Sequence, residues 1–302
     1  MKRALIMEGG AMRSVHSAGA LTALVELGFT PEHFDFVLGA SAGACNMAYF
    51  LSGQTEYFWE MWSKSLITRD FINFRNFLTP GKPVVDVDYV VKNIMMEKHP
   101  VDVIKALEAR PVFYIIATNC HTGKAEYFIN DKPESFFEVI KASSSIPILY
   151  HKTVRLNGME YIDGAVSDSI PVKKAIELGA KEIYVFLTRH EGYRKKKTVA
   201  DNIVSNTLKK YPKLKDTILN RHIIYNESLD LLESKIEGIK IIIIRPKYNL
   251  GITRTTTDPQ KLKNAFNIGY YDAMRELKKS QTLKKKDEFQ SHPSFLAKGK
   301  LG

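Results

Sequence analysis

The chain has 302 residues, 44% of them hydrophobic and 25% charged, with two cysteines and a formal net charge of +11. Such a balance fits a soluble globular protein with a substantial core. Cys45 and Cys120 match no zinc or redox spacing and are too few for a disulfide framework, Glu8 interrupts the N-terminus before a signal-peptide core can form, and no apolar run approaches a membrane span; a cytoplasmic protein with reduced, packed cysteines is expected.

Residues 2–7 read as a short buried strand that runs into Glu8-Gly9-Gly10-Ala11-Met12-Arg13-Ser14, after which residues 15–27 carry helical spacing and stop at Gly28. A glycine-rich turn between strand and helix aims backbone N–H groups at one place and binds an anion, either a dinucleotide pyrophosphate or a transient oxyanion. The G-x-G-x-x-G order is missing, and no acidic residue follows a second strand at the interval a dinucleotide site requires. The second strand, 36–38, leads straight into Gly39-Ala40-Ser41-Ala42-Gly43 and a helix-compatible run to Leu51. Strand, G-x-S-x-G and helix form the setting of a nucleophile elbow, in which small neighbours let the backbone turn sharply and lift the serine hydroxyl over the helix N-terminus. A right-handed parallel crossover then puts the two strand ends, and both turns, side by side.

Residues 55–78 concentrate aromatic side chains, both tryptophans among them; most belong to a core, and some are expected to line an acyl-chain pocket or touch lipid. Asp86 and Asp88 have no further ligand at metal spacing and read as turn and cap residues. Residues 112–118 are the strongest mid-chain strand, 125–129 pair with it, and 133–145 are helical. Residues 153–156 then turn through Asn157-Gly158 into 160–162, a hairpin that delivers Asp163-Gly164-Ala165. A helix over 172–178, a strand over 182–188, a helix-rich stretch to about residue 237, a strand over 239–244 and a helix over 259–278 complete the pattern. This alternation predicts the α/β class, a three-layer α/β/α domain with a mostly parallel central sheet over 1–280. Its motifs fall within 2–190, its helical C-terminal part is 200–280, and a basic, mobile tail follows over 281–302.

A serine hydroxyl needs a base. In the α/β-hydrolase order the histidine follows the acid, which leaves His190, His222 and His292, but that fold places several strands before its elbow and only one precedes Ser41. The alternative is a carboxylate at the end of a strand neighbouring the elbow. Asp163 meets that requirement, although Asp-Gly is by itself a common turn pair.

Glu8-Gly9-Gly10-Ala11-Met12-Arg13, Gly39-Ala40-Ser41-Ala42-Gly43 and Asp163-Gly164-Ala165, in that order and at strand ends, resemble the three signatures of the patatin-like phospholipases over roughly residues 2–190. Three motifs in order are far more specific than any one. The resemblance implies a patatin-like fold and a Ser–Asp dyad that cleaves fatty-acyl esters of phospholipids or lysophospholipids through an acyl-enzyme, without metal or organic cofactor. It makes Ser41 the nucleophile, Asp163 the base, and Gly9, Gly10, Ala11, Met12 and Arg13 the oxyanion site. Two departures stand out: Ala11 takes the place of the family's third glycine and is expected to need a negative φ, and Ser14 replaces the glycine after the basic residue.

The positive charge gathers in two segments, 194–215 and 278–300, that lie outside these motifs. Lysine clusters attract anionic membrane surfaces and nucleic acid alike, and most often are simply a solvated surface. The expected partners are a lipid acyl-ester substrate and peripheral contact with an anionic inner membrane surface, with no specific nucleic acid. Two rival readings remain open: a carboxylesterase or thioesterase that uses the same dyad on soluble acyl substrates, and a basic lipid- or nucleic-acid-binding protein on a catalytically dead fold.

Overall fold

The computed structural model describes residues 1–129 and 131–291, the side chains of 281–291 excepted. Among them, eight strands form one sheet: β1 Arg3–Met7, β2 Phe36–Ala40, β3 Val112–Asn119, β4 Ala125–Ile129, β5 Val154–Leu156, β6 Met159–Asp163, β7 Glu182–Phe186 and β8 Lys240–Ile244. β3, β2, β1, β7 and β8 follow one another in parallel, while β4, β5 and β6 pair antiparallel around β3. The main helices are α1 Val15–Glu26, α2 Ala42–Leu51, α3 Phe136–Ser144, α4 Val172–Glu177, α5 Val199–Thr207, α6 Pro212–Glu233 and α7 Pro259–Ser291.

Apolar side chains on both faces of the central strands make this a buried sheet, as a parallel sheet with helices on both sides must be. Leu5, Met7, Val37, Ile115 and Phe186 join the core under α1, α2, α3 and α7. The alternate residues Ala4, Ile6, Leu38, Ile116 and Val185 join a second core with Val172, Ala175, Tyr225 and Leu229 of α4 and α6. The three-layer α/β/α expectation is met. α1 and α7 touch backbone to backbone: a Cβ on Gly19 would collide with the Phe266 carbonyl, and one on Gly269 with that of His16.

The register around β3 explains how distant motifs meet. Residues 114–118 of β3 pair with β4, residues 112–116 with β2, and residues 117–119 with β6. β4 overlaps both of the others, so β2 and β6 share the opposite edge of β3, end to end. Ala40 sits opposite Ile116 and Asp163 opposite Ala117. β6 therefore continues the line of β2 from the other direction, rather than lying beside it as a neighbouring strand. The hairpin that carries Asp163 turns at Asn157 (φ 48°) and Gly158 (φ 78°), the mirror-image turn that matches strand twist.

Some elements differ from expectation. α7 continues to Ser291, past Ser280, where a non-periodic tail was expected; residues 292–302 lie outside the described residues. Asp86 caps a helical turn by accepting the Tyr89 N–H, whereas Asp88 accepts the Tyr150 hydroxyl and pairs with Lys141. Both cysteines are buried and unpaired. Among the described residues no helix is long and apolar enough to cross a membrane.

Candidate active site

Ser41 stands between β2 and α2 at φ 56°, ψ −133°, a strained conformation for a residue with a side chain. The turn closes because its glycines let other backbone approach. A Cβ on Gly39 would lie 2.9 Å from the Ala44 nitrogen, and one on Gly43 would strike the Met7 carbonyl. The strain is held from outside: the Ser41 N–H donates to Ser143 Oγ at 2.9 Å, and the Ser143 hydroxyl donates to the Ile116 carbonyl at 2.6 Å. Ser143 belongs to the last turn of α3.

The Ser41 hydroxyl donates to Asp163 Oδ2 at 2.8 Å, and both side chains are buried. Every other polar group of Asp163 is engaged. Oδ1 accepts the Ala165 N–H at 2.8 Å, its own N–H donates to Ser145 at 3.0 Å, and its carbonyl accepts the Thr118 hydroxyl at 2.8 Å. Gly164 is required here because a Cβ would strike the Ile116 carbonyl. Burial raises the Asp163 pKa above the ordinary carboxylate range, a trend the Ser41 and Ala165 hydrogen bonds oppose. A poised carboxylate on a serine hydroxyl above a helix N-terminus is equipped to move a proton.

The glycine-rich turn lies alongside, as the β1–β2 pairing requires. A Cβ on Gly9 would lie 2.7 Å from the Ala40 carbonyl, and one on Gly10 2.9 Å from Thr188 Oγ1. Gly9, Gly10 and Ala11 line one cavity with Ser41 and Asp163. Among the described residues no acceptor takes the N–H of Gly10 or Ala11. Ala11 has φ 47°, so the expected negative φ is wrong: the third position keeps the left-handed geometry of a glycine, at a cost of roughly 1 kcal/mol.

Met12 and Arg13 do not reach this cavity. The Met12 N–H is spent on the Arg254 carbonyl at 3.3 Å, and the Arg13 side chain lies buried with Nε on Thr188 Oγ1 at 3.4 Å. Burial first, then the Arg254 and Arg189 charges, bring the Arg13 guanidinium down to about 9. Glu8 sits beneath the turn, its carboxylate taken by the Thr188 N–H at 2.6 Å and the Tyr225 hydroxyl at 2.9 Å. Ser14 has φ −70°, so the missing glycine is not needed there.

A second, apolar cavity opens from Ser41, lined by Met61, Trp62, Leu66, Phe71, Val87 and Met95 among others. The aromatic segment thus contributes Trp62 and Phe71 to the cavity wall, with Phe74 and Phe77 left exposed. Cys45 also lines it, but burial pushes its thiol up to about 11, which keeps it protonated and no rival to Ser41. Neither His190 nor His222 lines the Ser41 cavity, and His292 lies outside the described residues. The sequence places the Ala142-Ser143 to Pro147 stretch within the resemblance but gives Ser143 no role, and it gives no sign of Arg221 and Arg254, which line the polar side of the cavity. It also placed Lys195 on the surface. Its Nζ instead lies 4.9 Å over the Tyr225 ring, and burial, then Arg221 and Arg254, hold its pKa well below the ordinary value.

A family model described as patatin-like phospholipase matches residues 5–176, and one described as a domain of unknown function (DUF6363) matches residues 211–283. The chain is 34% identical over 187 residues to the uncharacterized protein YjjU of Escherichia coli (strain K12), covering 61% of this chain and 51% of that protein. It spans about half the length of that relative. The crystal structure of VipD from Legionella pneumophila is similar with a TM-score of 0.48 and 15% identity, over 92% of this chain and 67% of that one.

Proposed function

Because the chain belongs to the patatin-like phospholipase family, we propose that it is a serine acyl hydrolase cleaving fatty-acyl esters of phospholipids or lysophospholipids, with Ser41 as nucleophile and Asp163 as base. The observation that carries this reading is the 2.8 Å hydrogen bond from Ser41 Oγ to Asp163 Oδ2 at the meeting point of a polar and an apolar cavity. Asp163 takes the hydroxyl proton as Oγ attacks the acyl carbonyl, and the tetrahedral oxyanion is met by the free N–H groups of Gly10 and Ala11. Collapse returns the proton to the leaving alkoxide and leaves an acyl-enzyme. Water then gives its proton to Asp163, attacks the acyl carbonyl, and the proton passes back to Ser41 as the fatty acid departs. Met12 and Arg13 serve the turn from below.

The apolar cavity favours a lipid acyl chain over a short soluble acyl group, which sets the carboxylesterase or thioesterase reading second. The inactive-fold reading has no use for a strained serine hydrogen-bonded to a buried carboxylate. The substrate would be reached from the aqueous side, by peripheral contact with an anionic membrane.

Ser41→Ala and Asp163→Asn should each cut ester hydrolysis by roughly 10³-fold or more, and the double variant should lose little beyond either single one. Near-normal turnover in Asp163→Asn would remove the aspartate from the mechanism and return attention to the histidines.

A further inference from the structure

Two arginines outside the family's motifs close the polar side of the Ser41 cavity. Arg221 comes from α6 and Arg254 from the loop after β8, and both also line the groove that leads in from Phe77, Pro147 and Ile203. Arg254 is fixed to the glycine-rich turn through its carbonyl, which accepts the Met12 N–H. Among the described residues no carboxylate lies within ion-pair distance of its guanidinium. Arg221 spends one terminal nitrogen on Asp201, and its buried Nε has no partner among the described residues.

Arg13, Arg189 and Lys195 lie within electrostatic reach of these two. The acids facing the group are Glu8, Asp163 and Asp201, and Glu8 is already held by Thr188 and Tyr225. Cations thus outnumber anions in a half-buried place. Burial first, and then Arg221, lowers the Arg254 pKa. Such crowding is costly unless an anion completes the site.

From the arrangement we propose that Arg221 and Arg254 form a recognition site for the phosphate of a net-negative head group, so that the enzyme prefers acyl esters bearing a phosphate monoester or anionic phosphodiester to neutral glycerides and choline-type zwitterions. This rests on the ester-hydrolase reading above. With the acyl chain in the Trp62 and Phe71 cavity and the ester at Ser41, the head group falls on the opposite, arginine side. Guanidinium forks suit phosphate oxygens. Among the described residues the only acidic side chain lining cavity or groove is Asp163, which the Ser41 hydroxyl occupies, and the only aromatic ring is Phe77, short of the cage of several rings that holds a quaternary ammonium.

The test is binding to the full chain carrying Ser41→Ala, which holds lipid without turning it over. Calorimetry would compare an acylglycerol phosphate, a monoacylglycerol and a lysophosphatidylcholine of the same chain length, each below its micelle concentration, with inorganic phosphate. The acylglycerol phosphate should bind about tenfold or more tighter than the other two lipids, and adding Arg254→Gln should remove most of that margin. Arg254→Lys, which keeps the charge but loses the fork, should retain part of it; a thermal melt verifies that each variant is folded. Equal binding of the three lipids, or a margin that survives both Arg254→Gln and Arg221→Gln, would overturn the proposal. Inorganic phosphate binding as tightly as the acylglycerol phosphate would overturn the head-group assignment in favour of a free-phosphate site. Failure here leaves hydrolysis of a neutral ester by the unmodified chain intact, and absence of such hydrolysis leaves the binding preference measurable.

Discussion

Ser143→Ala isolates the device that holds Ser41, the proposed nucleophile, in its strained turn. The Ser143 hydroxyl is fully buried, accepts the Ser41 N–H at 2.9 Å and donates to the Ile116 carbonyl at 2.6 Å. Its loss leaves a buried N–H without an acceptor, which costs about 1–3 kcal/mol, and takes a donor from a carbonyl in the sheet. The strain at Ser41, itself of order 1–3 kcal/mol, then loses one of its restraints. A chain of this size should melt roughly 2–4 °C lower per kcal/mol lost. If relaxation moves Oγ by about 1 Å from its line to Asp163, kcat should fall on the order of 10²-fold with KM little changed. Denaturant titration, steady-state kinetics on a neutral ester and the rate of Ser41 labelling by a fluorophosphonate measure the three effects. Full kcat beside the expected loss of stability would show that the tether supports the fold but not the nucleophile, and an unchanged melting temperature would refute the energetic reasoning altogether.

As the proposed base, Asp163 would work only when ionised, so kcat/KM on a neutral ester should rise with pH through a pKa above the ordinary carboxylate range. The stability effect has the opposite sign. The folded state holds that proton more tightly than the unfolded chain, so stability falls as pH climbs from the ordinary carboxylate value through the folded one. Asp163→Asn, which can keep both hydrogen bonds, should therefore melt higher than the parent at neutral pH; a lower melting temperature would contradict the buried-charge account. The apolar rim of the groove supplies another test: Phe77, Leu78, Val199 and Ile203 are exposed, and Phe77 and Ile203 line the entrance beside Arg221 and Arg254. Replacing Phe77 and Leu78 by serine should weaken binding to phospholipid vesicles, since burying each side chain is worth about 1–3 kcal/mol. Equal partition of parent and variant onto vesicles would show that the rim does not enter the bilayer.

The parts of the site legible in the sequence are those where backbone geometry demands particular residues. Gly39 admits the Ala44 backbone of α2, and Gly43 and Gly164 admit the Met7 and Ile116 carbonyls of β1 and β3, where a Cβ would not fit, so their motifs mark the elbow and the aspartate turn directly. The alternation of strands and helices likewise follows from apolar runs that only a doubly covered sheet can bury. Other features depend on contacts between distant segments and carry no local signature. Ser143 is one serine among three in a row, and only the register of β3 brings it to Ser41. Arg221 lies in a helix of mixed polarity and Arg254 in a threonine-rich loop, so neither announces a cavity. Lys195 sits in a run of basic residues that reads as surface, yet Tyr225 draws it inward. Ala11 shows the reverse error: an alanine was expected to avoid positive φ, but the surrounding turn pins it there at a modest cost.

The contact of α1 with α7, at Gly19 and Gly269, bears on how such a chain can change over time. α1 follows directly from the turn that faces Ser41, while α7 and the Arg254 carbonyl that takes the Met12 N–H come from beyond residue 176, where the family match ends. A recombinant joining the front of one relative to the back of another must therefore match its glycines on both helices, or the two backbones cannot close and the N–H of Met12 loses its acceptor. The front and back of this protein are coupled as a lock is to its own key, and selection on the glycine-rich turn extends to a helix that, among the described residues, lines neither cavity beside Ser41.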